Sequence, residues 1–88
     1  MPVLDDDRHR QMQREAAAQI GESLWRARVA RGLSQEAVAN QAGISVFTYC
    51  HLERGYSSDG RPANPRLDTL LKVLDVLGLD GIGLVAAN

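Results

Sequence analysis

The sequence predicts an all-α fold, a compact domain of four to five short helices preceded by a helical N-terminal arm. Three observations carry this expectation. Apolar residues recur at three- and four-residue spacings through most of the chain, which is the period of one helix face. Serines and glycines stand where those runs begin and end. The linker Ala42-Gly43-Ile44-Ser45 leaves almost no loop between two of the runs, so the helices it joins must cross steeply.

The elements follow in order. Asp5, Asp6 and Asp7 suit a helix start, where carboxylates meet the positive end of the dipole. Met12, Ala16, Ile20 and Leu24 recur every four residues, which predicts one shared apolar face. That stripe passes through Gly21, which costs a helix interior about 1 kcal/mol relative to alanine. A break there and a continuous helix are both open, and residues 1–19 read either as a helical arm or as a frayed tail. Residues 20–31 form the first secure helix, ended by Gly32. Ser34 caps a second helix, 35–42, which stops at Gly43, and Ser45 caps a third, 46–54, which stops at Gly55. Tyr56–Pro65 breaks the periodicity and reads as a loop. Asn64-Pro65 predicts a cap followed by proline at the first helical position. Leu67, Leu70, Leu71, Leu74 and Leu77 mark the buried face of a fourth helix, which stops at Gly78. In the tail, residues 80–88, Gly81 and Gly83 weaken a helix while Ile82, Leu84 and Ala86 alternate as in a short strand.

Length and composition bound the function. At 88 residues the chain holds one domain. Such a chain buries only roughly 60% of its unfolded surface, so the core is thin and pairing with a second copy is a natural supplement. No apolar run approaches the roughly 20 residues needed to span a membrane, and the start is acidic where a signal peptide is basic. The expected location is cytoplasmic, at the nucleoid. Cys50 is alone, and His9 and His51 are far apart, so neither a disulfide nor a metal or other cofactor is expected. Without a Gly-rich phosphate loop, an HExxH or a GxSxG, no catalytic residues are expected and an enzyme is disfavoured.

The formal net charge of −1 argues mildly against a nucleic-acid binder. Its distribution softens the objection. Residues 20–66 carry six arginines against four acids, whereas both flanks are net acidic. The basic excess is small, so modest and salt-sensitive DNA affinity is expected from each subunit.

The middle of the chain carries a resemblance. Ile20-Gly21-Glu22-Ser23-Leu24-Trp25-Arg26-Ala27-Arg28, then Gly32-Leu33-Ser34-Gln35-Glu36-Ala37-Val38-Ala39, resembles the opening of the lambda repressor and Cro type (XRE-like) helix-turn-helix domain. Gly43-Ile44-Ser45, Tyr49, Leu52, Glu53, Arg54, Gly55 and the segment Asn64–Leu71 with Leu77-Gly78 continue it, so the resemblance covers roughly residues 20–79. Ala39 is then small because the third helix crosses close over it, and Gly43 supplies the positive φ of a sharp turn. Val38, Ile44, Tyr49 and Leu52 point inward. Arg28 and Glu53 fall where the family commonly has an ion pair between the first and third helices; two unrelated surface charges are the plain alternative.

The resemblance also implies a DNA interface. The family lays the start of its third helix in the major groove, which puts Ser45, Val46, Phe47 and Thr48 nearest the bases, with Cys50 and His51 one turn further. Gln35 would meet a phosphate through its side chain and the second helix's N-terminus. Arg54, Arg61 and Arg66 are further phosphate candidates, with solvated surface charge as the alternative reading. Departures from the pattern matter. Val46 and Phe47 are apolar where polar side chains usually read base edges; they could pack on thymine methyls, or mark a protein interface. Trp25 stands where arginine is common, implying one phosphate contact fewer. Tyr49 replaces an aliphatic residue, so its hydroxyl must find a partner or reach the domain edge. Cys50 reads as a packing residue rather than a redox sensor.

The resulting expectation is a sequence-specific binder of double-stranded DNA, a transcriptional regulator of the repressor kind, acting as a homodimer through the arm, the tail or both. The rival is a protein-interaction module, such as the antitoxin half of a toxin–antitoxin pair, with a toxin or co-regulator as protein partner. The alternating segment 82–86 favours that rival.

Overall fold

The computed structural model describes residues 2–79, with side chains from Asp7 onward. Four helices follow in order: α1 (Pro2–Ala30), α2 (Gln35–Ala42), α3 (Val46–Arg54) and α4 (Leu67–Val76). Among the described residues there is no strand, only an isolated antiparallel bridge between Tyr56 and Pro62 inside the loop after α3. The alternating segment 82–86 lies outside the described residues.

Helix α1 does not break at Gly21. It runs uninterrupted for 29 residues, about 43 Å at 1.5 Å per residue. Gly21 is instead the point where α1 touches the end of α3, with no side chain between the two backbones.

The apolar face of α1 differs from the expected stripe. Leu24 is fully buried and Ile20 packs against the core, but Met12 is 60% exposed and Ala16 is exposed too. A four-residue step overshoots a helical turn by about 40°, so three steps carry a stripe roughly a third of the way round the helix. The seven-residue step drifts only about 20°, and Ala17, seven before Leu24, is the residue that is buried.

The turn between α2 and α3 forms as its residues dictate. The Ser34 Oγ accepts the Ala37 N–H at 3.0 Å, and the Ser45 Oγ accepts the Thr48 N–H at 3.1 Å. Gly43 lies in the left-handed region at φ 71°, and the Ile44 N–H reaches back to the Ala39 carbonyl at 3.0 Å. This closes α2 and redirects the chain within three residues. The core that results draws on all four helices, through Leu24, Val38, Ala39, Ala42, Tyr49, Leu52, Val73, Leu74 and Leu77.

Two expectations for α4 are corrected. The helix begins at Leu67 and its N-cap position is Arg66, still extended at ψ 146° and without a side-chain cap; Asn64-Pro65 stops short of it. Its buried face is Leu70, Val73, Leu74 and Leu77, rotated from the expected one. Leu67 is 71% exposed and Leu71 is also exposed. The residue run 67–77 holds two overlapping stripes of the same period, and packing on α2 selects the second.

Candidate nucleic-acid interface

The side chains that hold α3 in place form one connected set. Arg28 donates from Nε to Glu53 Oε2 and from Nη2 to Glu53 Oε1, both at 2.8 Å, and from Nη1 to the Leu33 carbonyl at 2.9 Å. The guanidinium thereby ties the end of α1, the turn before α2 and the last turn of α3 together. Both partners are largely withdrawn from water, with side chains 15% and 7% exposed. Burial alone would push the Glu53 carboxyl up, but hydrogen bonds led by Arg28 and joined by Gln35 outweigh it and hold that carboxyl below its ordinary value. The same hydrogen bonding raises Arg28 above its ordinary value.

Gln35 extends this set. Its Nε2 donates to Glu53 Oε1 at 3.2 Å, and its Oε1 accepts the Cys50 thiol at 3.3 Å. The Gln35 amide is therefore engaged inside the protein, and Cys50 is turned toward α2 rather than standing free. Spacing could not reveal this, because it links three separate elements.

The Tyr49 hydroxyl belongs to the same region but joins no hydrogen bond. It is buried without a partner, so the expected partner or route to the edge is missing. Burial pushes the phenol above its ordinary range, and the neighbouring Glu53 carboxylate adds to the shift.

The opposite side of α3 faces solvent. Ser45 donates its hydroxyl to Thr48 Oγ1 at 2.9 Å while capping the helix, and Thr48 is exposed. Val46 is half-buried against the core, whereas Phe47 is 76% exposed, with nothing in the protein covering it. His51 comes within 3.4 Å of the Ser58 hydroxyl, which ties the loop after α3 back to the helix. The Arg54 guanidinium lies 4.9 Å above the Tyr56 ring, a cation–π contact. Arg61 is exposed in the same loop and pairs loosely with Asp59 at 3.5 Å. Arg66 is exposed at the start of α4.

One residue outside the expected set adjoins this surface. Trp25 of α1 lines an open groove of about 310 Å³ together with Gln35, Cys50, Glu53 and Arg54. Its distance in sequence from α3 hid it; the signal was its place on α1 one turn before Arg28. Among the described residues, no group of three or more histidine, cysteine, aspartate or glutamate side chains is placed to hold a metal ion. No described helix is long and apolar enough to cross a membrane.

Comparison with known proteins agrees with this geometry. The family model described as a helix-turn-helix domain matches residues 19–85, more than half of the chain. No curated protein and no solved structure matches the chain.

Proposed function

The chain belongs to the helix-turn-helix domain family, and from that premise we propose that it is a sequence-specific regulator of transcription, of the repressor kind, working on duplex DNA as a two-fold homodimer. The observation that carries this reading is the first turn of α3. A bulky apolar side chain, Phe47, is held out in solvent beside the exposed Thr48. It is held there by a helix whose angle is fixed through Ser34, Gly43, Ser45 and the Arg28–Glu53 pair. A rigid helix presenting an unsupported side chain suits insertion in a major groove.

In this reading Ser45, Val46, Phe47 and Thr48 meet base edges, with Cys50 behind them as a packing residue and His51 toward the groove wall. The N-terminus of α2 at Gln35 and the arginines Arg54, Arg61 and Arg66 meet the phosphates. No enzymatic step is assigned. Two copies would set their α3 helices about 34 Å apart on one face of the duplex, which compensates for the small positive charge of one. The exposed Met12 and Ala16 of the arm are apolar surface a second copy could cover. A cytoplasmic place at the nucleoid follows from the partner.

The test is a titration of a fluorescent random-sequence duplex at about 50 and about 200 mM salt, followed by selection of a preferred site. Binding at low salt that weakens at the higher salt, with one sequence enriched, is expected. No binding at either salt removes the reading. Sedimentation equilibrium at micromolar concentration reports the dimer; a monomer mass with and without the selected site removes that part alone.

A further inference from the structure

The groove where α1 crosses α3 is floored by polar groups that are already satisfied. Gln35 is engaged with Glu53 and Cys50, and the Glu53 charge is matched by Arg28. Two polar groups on its rim make no hydrogen bond or ion pair within the described residues. One is the indole N–H of Trp25, a side chain left 49% exposed; the other is the Arg54 guanidinium, stacked on Tyr56. With Glu53 neutralised, the uncompensated charge of the groove is that of Arg54. An apolar indole face, one neutral N–H donor and one cation side by side suit a ligand that is apolar on one side and anionic on the other.

We propose that this groove seats a sugar–phosphate unit of the duplex backbone, with Trp25 as a positioning residue packed on the deoxyribose and donating its N–H to the phosphate, and Arg54 as the cation. This rests on the DNA-binding reading above. It also turns Trp25 from a lost phosphate contact into an uncharged one. Because the indole is neutral, its contribution adds affinity without releasing a counterion, which distinguishes it from any arginine on the same surface.

Trp25 is the single tryptophan of the chain, so its emission reports this groove alone. The experiment titrates the full chain with a random-sequence duplex of about two helical turns, following the anisotropy of the labelled duplex and the emission of Trp25 together. Both signals are expected to follow one isotherm and to reverse with salt. Trp25→Ala should weaken binding about fivefold, the size of one lost hydrogen bond, with the salt slope unchanged. Trp25→Phe keeps an aromatic face and should fall between the two, while thermal melts confirm that each variant folds. Trp25→Arg should recover affinity and steepen the slope of log K against log salt by about 0.9, and Arg54→Ala should flatten it by about as much. Anisotropy that reports binding while Trp25 emission stays constant, with both Trp25 variants at full affinity, overturns the inference and leaves DNA binding standing. No anisotropy change at about 50 mM salt removes both.

Discussion

Gly21 of α1 lies against the Glu53 carbonyl of α3 so closely that a Cβ there would overlap it, and the Leu52 carbonyl oxygen would stand 2.9 Å from that Cβ. Two effects then oppose each other in Gly21→Ala. Helix propensity favours alanine by about 1 kcal/mol in the interior of α1. The obstacle is backbone at the end of a packed helix, which cannot rotate away as a side chain can, and overpacking of this kind costs about 1–3 kcal/mol. The expected outcome is a net loss of about 1 kcal/mol in urea unfolding. A gain in stability would show that the crossing opens freely.

The same residue marks the limit of what was legible in the chain. The caps at Ser34 and Ser45 and the turn at Gly43 are local, set by a hydroxyl and an N–H three residues apart, and the structure has them where the sequence puts them. The Arg28–Glu53 pair came from resemblance, not from spacing, since 25 residues separate the partners. What failed is what only packing decides. Gly21 looks like a helix breaker until a second backbone is placed against it. Leu67 and Leu71 are as apolar as Leu74, and only the position of α2 leaves them exposed. Gln35 and Cys50 carry no mark in the sequence that their side chains face each other.

The Arg28–Glu53 pair is worth more as geometry than as attraction. Removing Arg28 leaves a carboxylate 7% exposed without its cation. Arg28→Ala is therefore expected to cost about 3 kcal/mol. Replacing both partners, as Arg28→Met with Glu53→Met, should cost clearly less than the single change, because no charge is stranded. Chemical denaturation of the two singles and the double closes the cycle. Additive costs would mean the pair is not coupled.

The pair also fixes a direction for acid sensitivity. The folded Glu53 pKa lies below its ordinary 4.5, so the unfolded chain binds the proton first as pH falls. The stability that Glu53 contributes is fully present above that ordinary value, and is lost as pH falls through the folded pKa. Urea midpoints measured from neutral pH down through this range should therefore decline, and Glu53→Gln should decline less steeply. Parallel curves for the two proteins would show that other carboxylates govern the acid limb.

Tyr49 offers a substitution expected to do no harm. Its hydroxyl is buried with no hydrogen-bond partner, so folding forfeits its bonds to water without replacement. Tyr49→Phe keeps the ring that fills the core and removes the stranded group. The expectation is unchanged stability or a gain of about 1 kcal/mol, read from thermal melts. A loss beyond about 1 kcal/mol would reveal that the hydroxyl is satisfied in solution, with Glu53 the nearest acceptor.

The most direct test of how α3 reads a sequence is at Phe47. Phe47 is 76% exposed and packs on nothing, so Phe47→Ala should leave the melting temperature unchanged. Any loss of DNA binding by that variant is then a loss of contact rather than of fold. A phenyl ring cannot form the paired hydrogen bonds that tell a guanine from an adenine, but it can cover the methyl group of a thymine. Burying one methyl is worth about 0.8 kcal/mol, so replacing each contacted thymine of the selected site by deoxyuridine should weaken binding about fourfold. Phe47→Ala should abolish that discrimination, giving the same affinity for both duplexes, while Val46, half-buried beside it, contributes less. The cycle of two proteins and two duplexes isolates the contact, because deoxyuridine alters no hydrogen-bonding group in the groove. If uracil is tolerated by the wild-type chain but Phe47→Ala changes its sedimenting mass, the ring belongs to a protein interface, and specificity must come from Ser45, Thr48 and the shape of the duplex.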